Sequence, residues 1–184
     1  MRDHARSGDL ATPRGAGSPR AGCRAAGRAL VVGCGNWASR DDRVGPRVVS
    51  ALKGRLGRGV TVRDVGTTTL GLLDLLDGQE LLVLVDACAG RGRPGEVLVV
   101  EPDLHALVPE RVGTHQIGPV ETLVVARELY PERLPRRTVL VLVETGGLAA
   151  GAEADARRRA SEAVIRTIRG FRGEGTGTEA APAA

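Results

Sequence analysis

From residue 29 onward the chain alternates short aliphatic runs with helix-length amphipathic segments. The Val-rich runs 29–33, 60–65, 81–87, 96–101 and 138–144 are bounded by Gly, Pro or Asp and read as strands with buried side chains. A helix is predicted over 43–56, with Val44, Val48, Val49, Leu52 and Leu56 on one face, Pro46 in its first turn and Gly57 as its stop. A second is predicted after Gly118 up to Tyr130, before Pro131. A third spans 152–169, where Ala156, Ala160, Ala163, Val164 and Ile168 form the apolar stripe. This alternation predicts an α/β fold, a three-layer α/β/α sandwich around a mostly parallel five-stranded sheet. One connection breaks the rule. Residues 88–95 are too few for a parallel crossover, which needs roughly a dozen, so the strand at about 96–101 is predicted to run antiparallel.

A chain of 184 residues, 42% hydrophobic, holds one domain of this kind, predicted at 29–171 between disordered tails at 1–28 and 172–184. The net charge of +4 lies in the first tail, where six Arg oppose only Asp3 and Asp9, so the domain itself is electrically balanced. Balanced charge and only three aromatic residues (Trp37, Tyr130, Phe171) argue against a nucleic-acid surface. There is no apolar stretch of membrane-spanning length and no secretory core in the tail. Three Cys (Cys23, Cys34, Cys88) make no disulfide framework, so a reducing cytoplasm is expected. With every helix packed on the sheet, a monomer is expected.

The polar residues gather where strands end, which is where open α/β sheets collect ligands. Gly33-Cys34-Gly35-Asn36 closes the first strand and Asp41-Asp42 follows. Asp64-Val65-Gly66-Thr67 closes the second, Asp86 the third, and His115 lies in a Gly-rich loop ahead of a helix. Carboxylates and one imidazole at a single edge suit a divalent metal such as zinc, manganese, iron or nickel. Each has a plainer reading too. Asp42 or its neighbour Asp41 would serve as a helix N-cap worth about 1 kcal/mol, and Cys34 and Cys88 as small buried thiols. His105 reads as a surface residue. Gly33-Cys34-Gly35-Asn36-Trp37-Ala38 also fits a dinucleotide loop, with Asp64 as its ribose acid, although the helix starts late and carboxylates repel a pyrophosphate.

These pieces, in this order and spacing, resemble the nickel-iron hydrogenase maturation proteases: Gly33-Cys34-Gly35-Asn36 with Asp41-Asp42 and Gly45; Asp64-Val65-Gly66-Thr67; Val85-Asp86-Ala87 with Pro94-Gly95; and Thr114-His115-Gln116. The resemblance implies an endopeptidase, aspartic-type or metal-dependent, that removes a short C-terminal peptide from the hydrogenase large-subunit precursor. It implies Asp42, Asp86 and His115 as metal contacts, with Asp64 and Asp42 as catalytic acids. Gly35, Asn36, Asp41, Arg43, Gly66, Thr67 and Gln116 would line the substrate site. Nickel would arrive on the substrate, and zinc would suit the same donors. Arg43 stands where the family usually has Gly; it points to solvent or binds the substrate's C-terminal carboxylate, and the sequence favours solvent. A catalytically silent metal-centre chaperone of the same fold is the alternative function, with a dinucleotide enzyme behind it.

Overall fold

The computed structural model describes residues 28–106 and 117–175. Five strands, β1 (Ala29–Cys34), β2 (Val60–Gly66), β3 (Leu81–Cys88), β4 (Val97–Val100) and β5 (Arg137–Glu144), form one sheet in the order β2-β1-β3-β5-β4. β1 is parallel to β2 and β3, β3 is parallel to β5, and β4 is antiparallel to β5, as the short connection requires.

Alternation along the strands sorts the core into two layers. Val31, Val83, Val85, Val139 and Val141 face one side and pack with α1 (Val44–Leu52) and α4 (Glu153–Gly175), whose Val48, Val49, Ala160 and Val164 belong to the same cluster. Leu30, Val32, Leu82, Leu84 and Leu140 face the other, against Leu72 of α2 (Leu72–Leu75), Leu76, and Leu123 of α3 (Pro119–Leu129). β3 lies at the centre, and Leu81 to Val85 are wholly removed from water.

Four details depart from expectation. α1 ends at Leu52, because Lys53 turns to extended backbone (φ −57, ψ 125) before Gly54; Leu56 is still buried, through a turn and not through helix. α2 escaped prediction because four residues carry too little periodicity to register. α4 continues to Gly175, so the tail predicted to begin at 172 starts inside a helix. Partly buried Phe171 packs on the core, Arg172 donates to the Arg58 carbonyl, and Glu174 pairs with Arg137, which holds that last turn. At the other boundary Arg28 is ordered: its guanidinium binds the Asp77 carboxylate at 2.7 Å and the Asp77 carbonyl at 2.8 Å. The rest of both predicted tails lies outside the described residues. No helix among the described residues is long and apolar enough to cross a membrane.

Candidate active site

The carboxyl edge of the sheet is built by one tight loop pressed onto two strands. A Cβ on Gly45 would stand 2.2 Å from the Cys34 carbonyl oxygen and 2.5 Å from that of Val85, so α1 begins directly on the ends of β1 and β3. Between β1 and α1 the backbone folds back on itself. The Gly35 N–H donates to the Gly66 carbonyl (3.0 Å), and the Asn36 N–H to both the Asp42 carbonyl (2.9 Å) and its Oδ2 (3.0 Å). The Asn36 side chain accepts from the Ala38 N–H at 2.9 Å, so its amide oxygen is used by the loop itself. Gly35 has φ +128, and a Cβ there would meet the Asp42 carbonyl oxygen at 1.9 Å. That space is filled by chain, leaving no room for the pyrophosphate of the dinucleotide reading. The N-cap reading also fails: α1 opens at Arg43 with no side-chain cap, and neither Asp41 nor Asp42 supplies one.

Asp42 is half-buried and Asp41 exposed, so the adjacent acids do point into different surroundings. Asp86, near the end of β3, is also half-buried; its Oδ1 accepts from the Ala87 N–H at 2.8 Å. Burial, aided by the charge of Asp42, pushes its carboxyl from an ordinary 3.8 up to about 6. Asp64 is exposed and held by two donors, the Gly66 N–H at 2.9 Å and the Trp37 indole N–H at 2.6 Å. Cys34 sits buried among these acids. Burial raises its thiol above the ordinary range, and Asp86, Asp64 and Asp42 raise it further, in that order. Cys34 is therefore a core thiol and not a nucleophile. Cys88 is a free, half-buried thiol, also raised by burial and by the nearby Glu144.

The donor chemistry of Asp42 and Asp86 fits a divalent cation. Each acid offers one oxygen to a backbone donor and keeps the other without a hydrogen-bond partner among the described residues. Their mutual repulsion is what a cation would relieve. Among the described residues no group of three or more His, Cys, Asp or Glu is placed to hold a metal ion, so these two acids need a further donor. The predicted donor, His115, and its neighbour Gln116 lie outside the described residues. Ile117, the next residue along, is fastened to this edge: its carbonyl accepts from the hydroxyl of Thr69, which begins the short 3-10 turn after β2.

Arg43 is not directed to solvent. Its guanidinium binds Glu153 at 2.7 and 3.0 Å, an employment that local sequence does not reveal. Gly66 turns the chain after Asp64, and Thr67 is exposed. Two residues of consequence escaped the sequence reading. Trp37 is half exposed (51%) and orients Asp64; a lone Trp in a loop at a strand edge was the available signal. Glu144, at the end of β5, is buried (2% exposed) and accepts from the N–H groups of Arg91 (2.7 Å), Gly92 (3.1 Å) and Gly146 (2.9 Å). Those backbone donors hold its carboxyl below the usual range and shape the tight 88–95 connection.

The sequence model of the family described as hydrogenase maturation protease matches residues 46–167. The chain belongs to that family. The hydrogenase 2 maturation protease of Escherichia coli K12 is 30% identical over 118 residues, 62% of this chain and 71% of that one. The hydrogenase expression/formation protein HupD of Rhizobium leguminosarum bv. viciae is 36% identical over 116 residues, 58% of this chain and 56% of its own length, so this chain spans little more than half of it. In three dimensions the hydrogenase maturating endopeptidase HybD from E. coli superposes with a TM-score of 0.63 at 28% identity, covering 78% of this chain and 93% of that one. A hydrogenase maturation protease is a peptidase. The family match begins after Asp42 and includes Asp64 and Asp86.

Proposed function

We propose that this protein is the endopeptidase that removes a short C-terminal peptide from the large-subunit precursor of a nickel-iron hydrogenase. The observation that carries the reading is the pair of half-buried acids, Asp42 and Asp86, whose charges oppose each other at the sheet edge in a chain of this family. Nickel arrives as part of the substrate. Asp42, Asp86 and His115 are the groups that would receive it, and a zinc ion would suit the same donors. A divalent ion at the scissile bond supplies polarisation of the carbonyl or a more acidic water. Asp64, fixed by Trp37 and Gly66, is the base that would take a proton from the attacking water.

The test is incubation of the purified protein with nickel-loaded and nickel-free precursor, followed by intact-mass spectrometry. The loaded precursor is expected to shorten and the nickel-free one to stay whole. A loaded precursor that binds yet stays whole would instead identify a metal-centre chaperone. Trp37→Phe removes the indole donor and is expected to slow processing about tenfold, since a hydrogen bond to a charged group is worth roughly 1.5–3 kcal/mol. The loss should appear in kcat and not in KM, with a modest fall in thermal stability from the same lost bond; an unaltered kcat would deny Trp37 its positioning role.

A further inference from the structure

Beside the acidic edge lies a second concentration of charge, of opposite sign. Arg40, Arg43, Arg47 and Arg157 line a cavity of about 230 Å³ between α1 and the start of α4, together with Glu153 and Leu148. The single carboxylate Glu153 serves three of these guanidinium groups: Arg43 at 2.7 Å, Arg40 at 2.8 Å and Arg47, more loosely, at 3.8 Å. Hydrogen bonds from Arg40 and Arg43 hold its carboxyl below the ordinary range. Arg157 has no carboxylate partner among the described residues. Asp155, also in the first turn of α4, is engaged by Arg158 and Arg159. The cavity thus carries four cations against one anion, and the Arg43 Nε, itself shut off from solvent, has no hydrogen-bond acceptor among the described residues.

Satisfying Glu153 needs one arginine, not four. Like charges confined together are unfavourable unless an anion joins them, and a planar guanidinium pairs best with a carboxylate, through two parallel hydrogen bonds. The volume lies below the roughly 300–1,000 Å³ of small-molecule sites, so it suits a side chain or a chain end and not a nucleotide. Arg43 also follows Asp42 directly in the chain, so a residue that lines the cavity is the immediate neighbour of an acid proposed to receive the metal. We propose that this cavity binds a carboxylate of the precursor polypeptide, either an acidic side chain or the free C-terminus, while the neighbouring acids receive the substrate's cation. The inference rests on the processing reading above and adds a specificity site to it. Adjacent patches of opposite sign accept a substrate that presents its charges in one order and repel the reverse.

The experiment follows the arginine Nε–H resonances of the full-length protein in two-dimensional NMR. The probes are an Ala-rich hexapeptide amide bearing one Glu, its Gln counterpart with a free C-terminal carboxylate, and inorganic sulfate at matched ionic strength. Saturable shifts are expected at Arg43, Arg47 and Arg157, and not at Arg63 on β2; the peptide that produces them identifies the source of the carboxylate. The double variant Arg47→Gln/Arg157→Gln keeps Arg40 and Arg43 on Glu153. It is expected to abolish the shifts and to raise KM for the precursor at least tenfold, with the loss in KM and not kcat. Absence of saturable shifts with both peptides overturns the proposal, as does sulfate matching the peptides while KM is unchanged in the double variant. Wild-type protein that leaves the precursor whole overturns the processing reading alone, and the titration still decides the cavity.

Discussion

Asp86→Asn is expected to lose processing by on the order of 10²–10³-fold and, at neutral pH, to melt at a higher temperature than the wild type. The two effects share one cause. Asp86 sits where burial and Asp42 both oppose its charge, lifting its carboxyl to about 6. An acid raised on folding contributes stability that is fully present below its unfolded value near 4 and is lost as the pH climbs through about 6. Above that window the ionised carboxylate costs up to about 3 kcal/mol, and the neutral amide removes that cost. The melting temperatures of variant and wild type, compared in metal-free buffer, should therefore diverge between pH 4 and 7 and coincide below. A gap that ignores pH would mean that charge at Asp86 is not what opposes folding. On the proposed function activity moves the other way, because a carboxylate held at a cost in the absence of a cation is the group that would receive the substrate's ion. Removing a donor that stabilises a cation-assisted transition state forfeits several kcal/mol, and His115→Ala is expected to lose processing similarly.

Gly35→Ala is expected to destabilise the domain by about 3 kcal/mol or more. Its φ of +128 is one that an L side chain rarely adopts, and the new methyl would overlap the Asp42 carbonyl oxygen at 1.9 Å. The obstruction is backbone, so no side chain can swing aside to relieve it. Either Gly35 changes conformation or the 36–42 loop lifts, and each breaks the paired bonds from Asn36 to Asp42. Urea denaturation should show the midpoint falling with an unchanged slope. Gly71→Ala, which meets open space within 4 Å, is the control and should shift the midpoint little. Equal effects from the two substitutions would mean that loss of chain flexibility, and not the crowded loop, controls stability here.

Much of the fold was legible because its signals are local. Five Val- and Leu-rich runs marked the strands, and the length of 88–95 alone was enough to set the direction of β4. Gly54 (φ +75) is the local stop after Leu52, masked by an apolar stripe that runs on to Leu56. Where a decision depended on distant partners the local signals were silent: nothing in the tail shows that Glu174 will find Arg137. The site divides in the same way. That Asp42, Asp64 and Asp86 share an edge followed from strand ends. That Asn36 turns its amide back into its own loop, or that Arg43 lies on Glu153, did not, because each bond joins groups whose approach is set by packing.

The order of apolar and polar positions, acting through the two-residue alternation of strands and the hydrophobic stripe of helices, determined by itself the layers, the sheet and the edge at which polar groups emerge. The tertiary structure decided what those groups became. It pressed α1 onto the ends of β1 and β3, which turned Gly35 into a necessity and Asp86 into a strained acid. It also carried Glu153, 110 positions away in the chain, to Arg43. The reason is range: propensity and periodicity act over a few residues, whereas desolvation and Coulomb forces act between whichever groups the finished fold brings into contact.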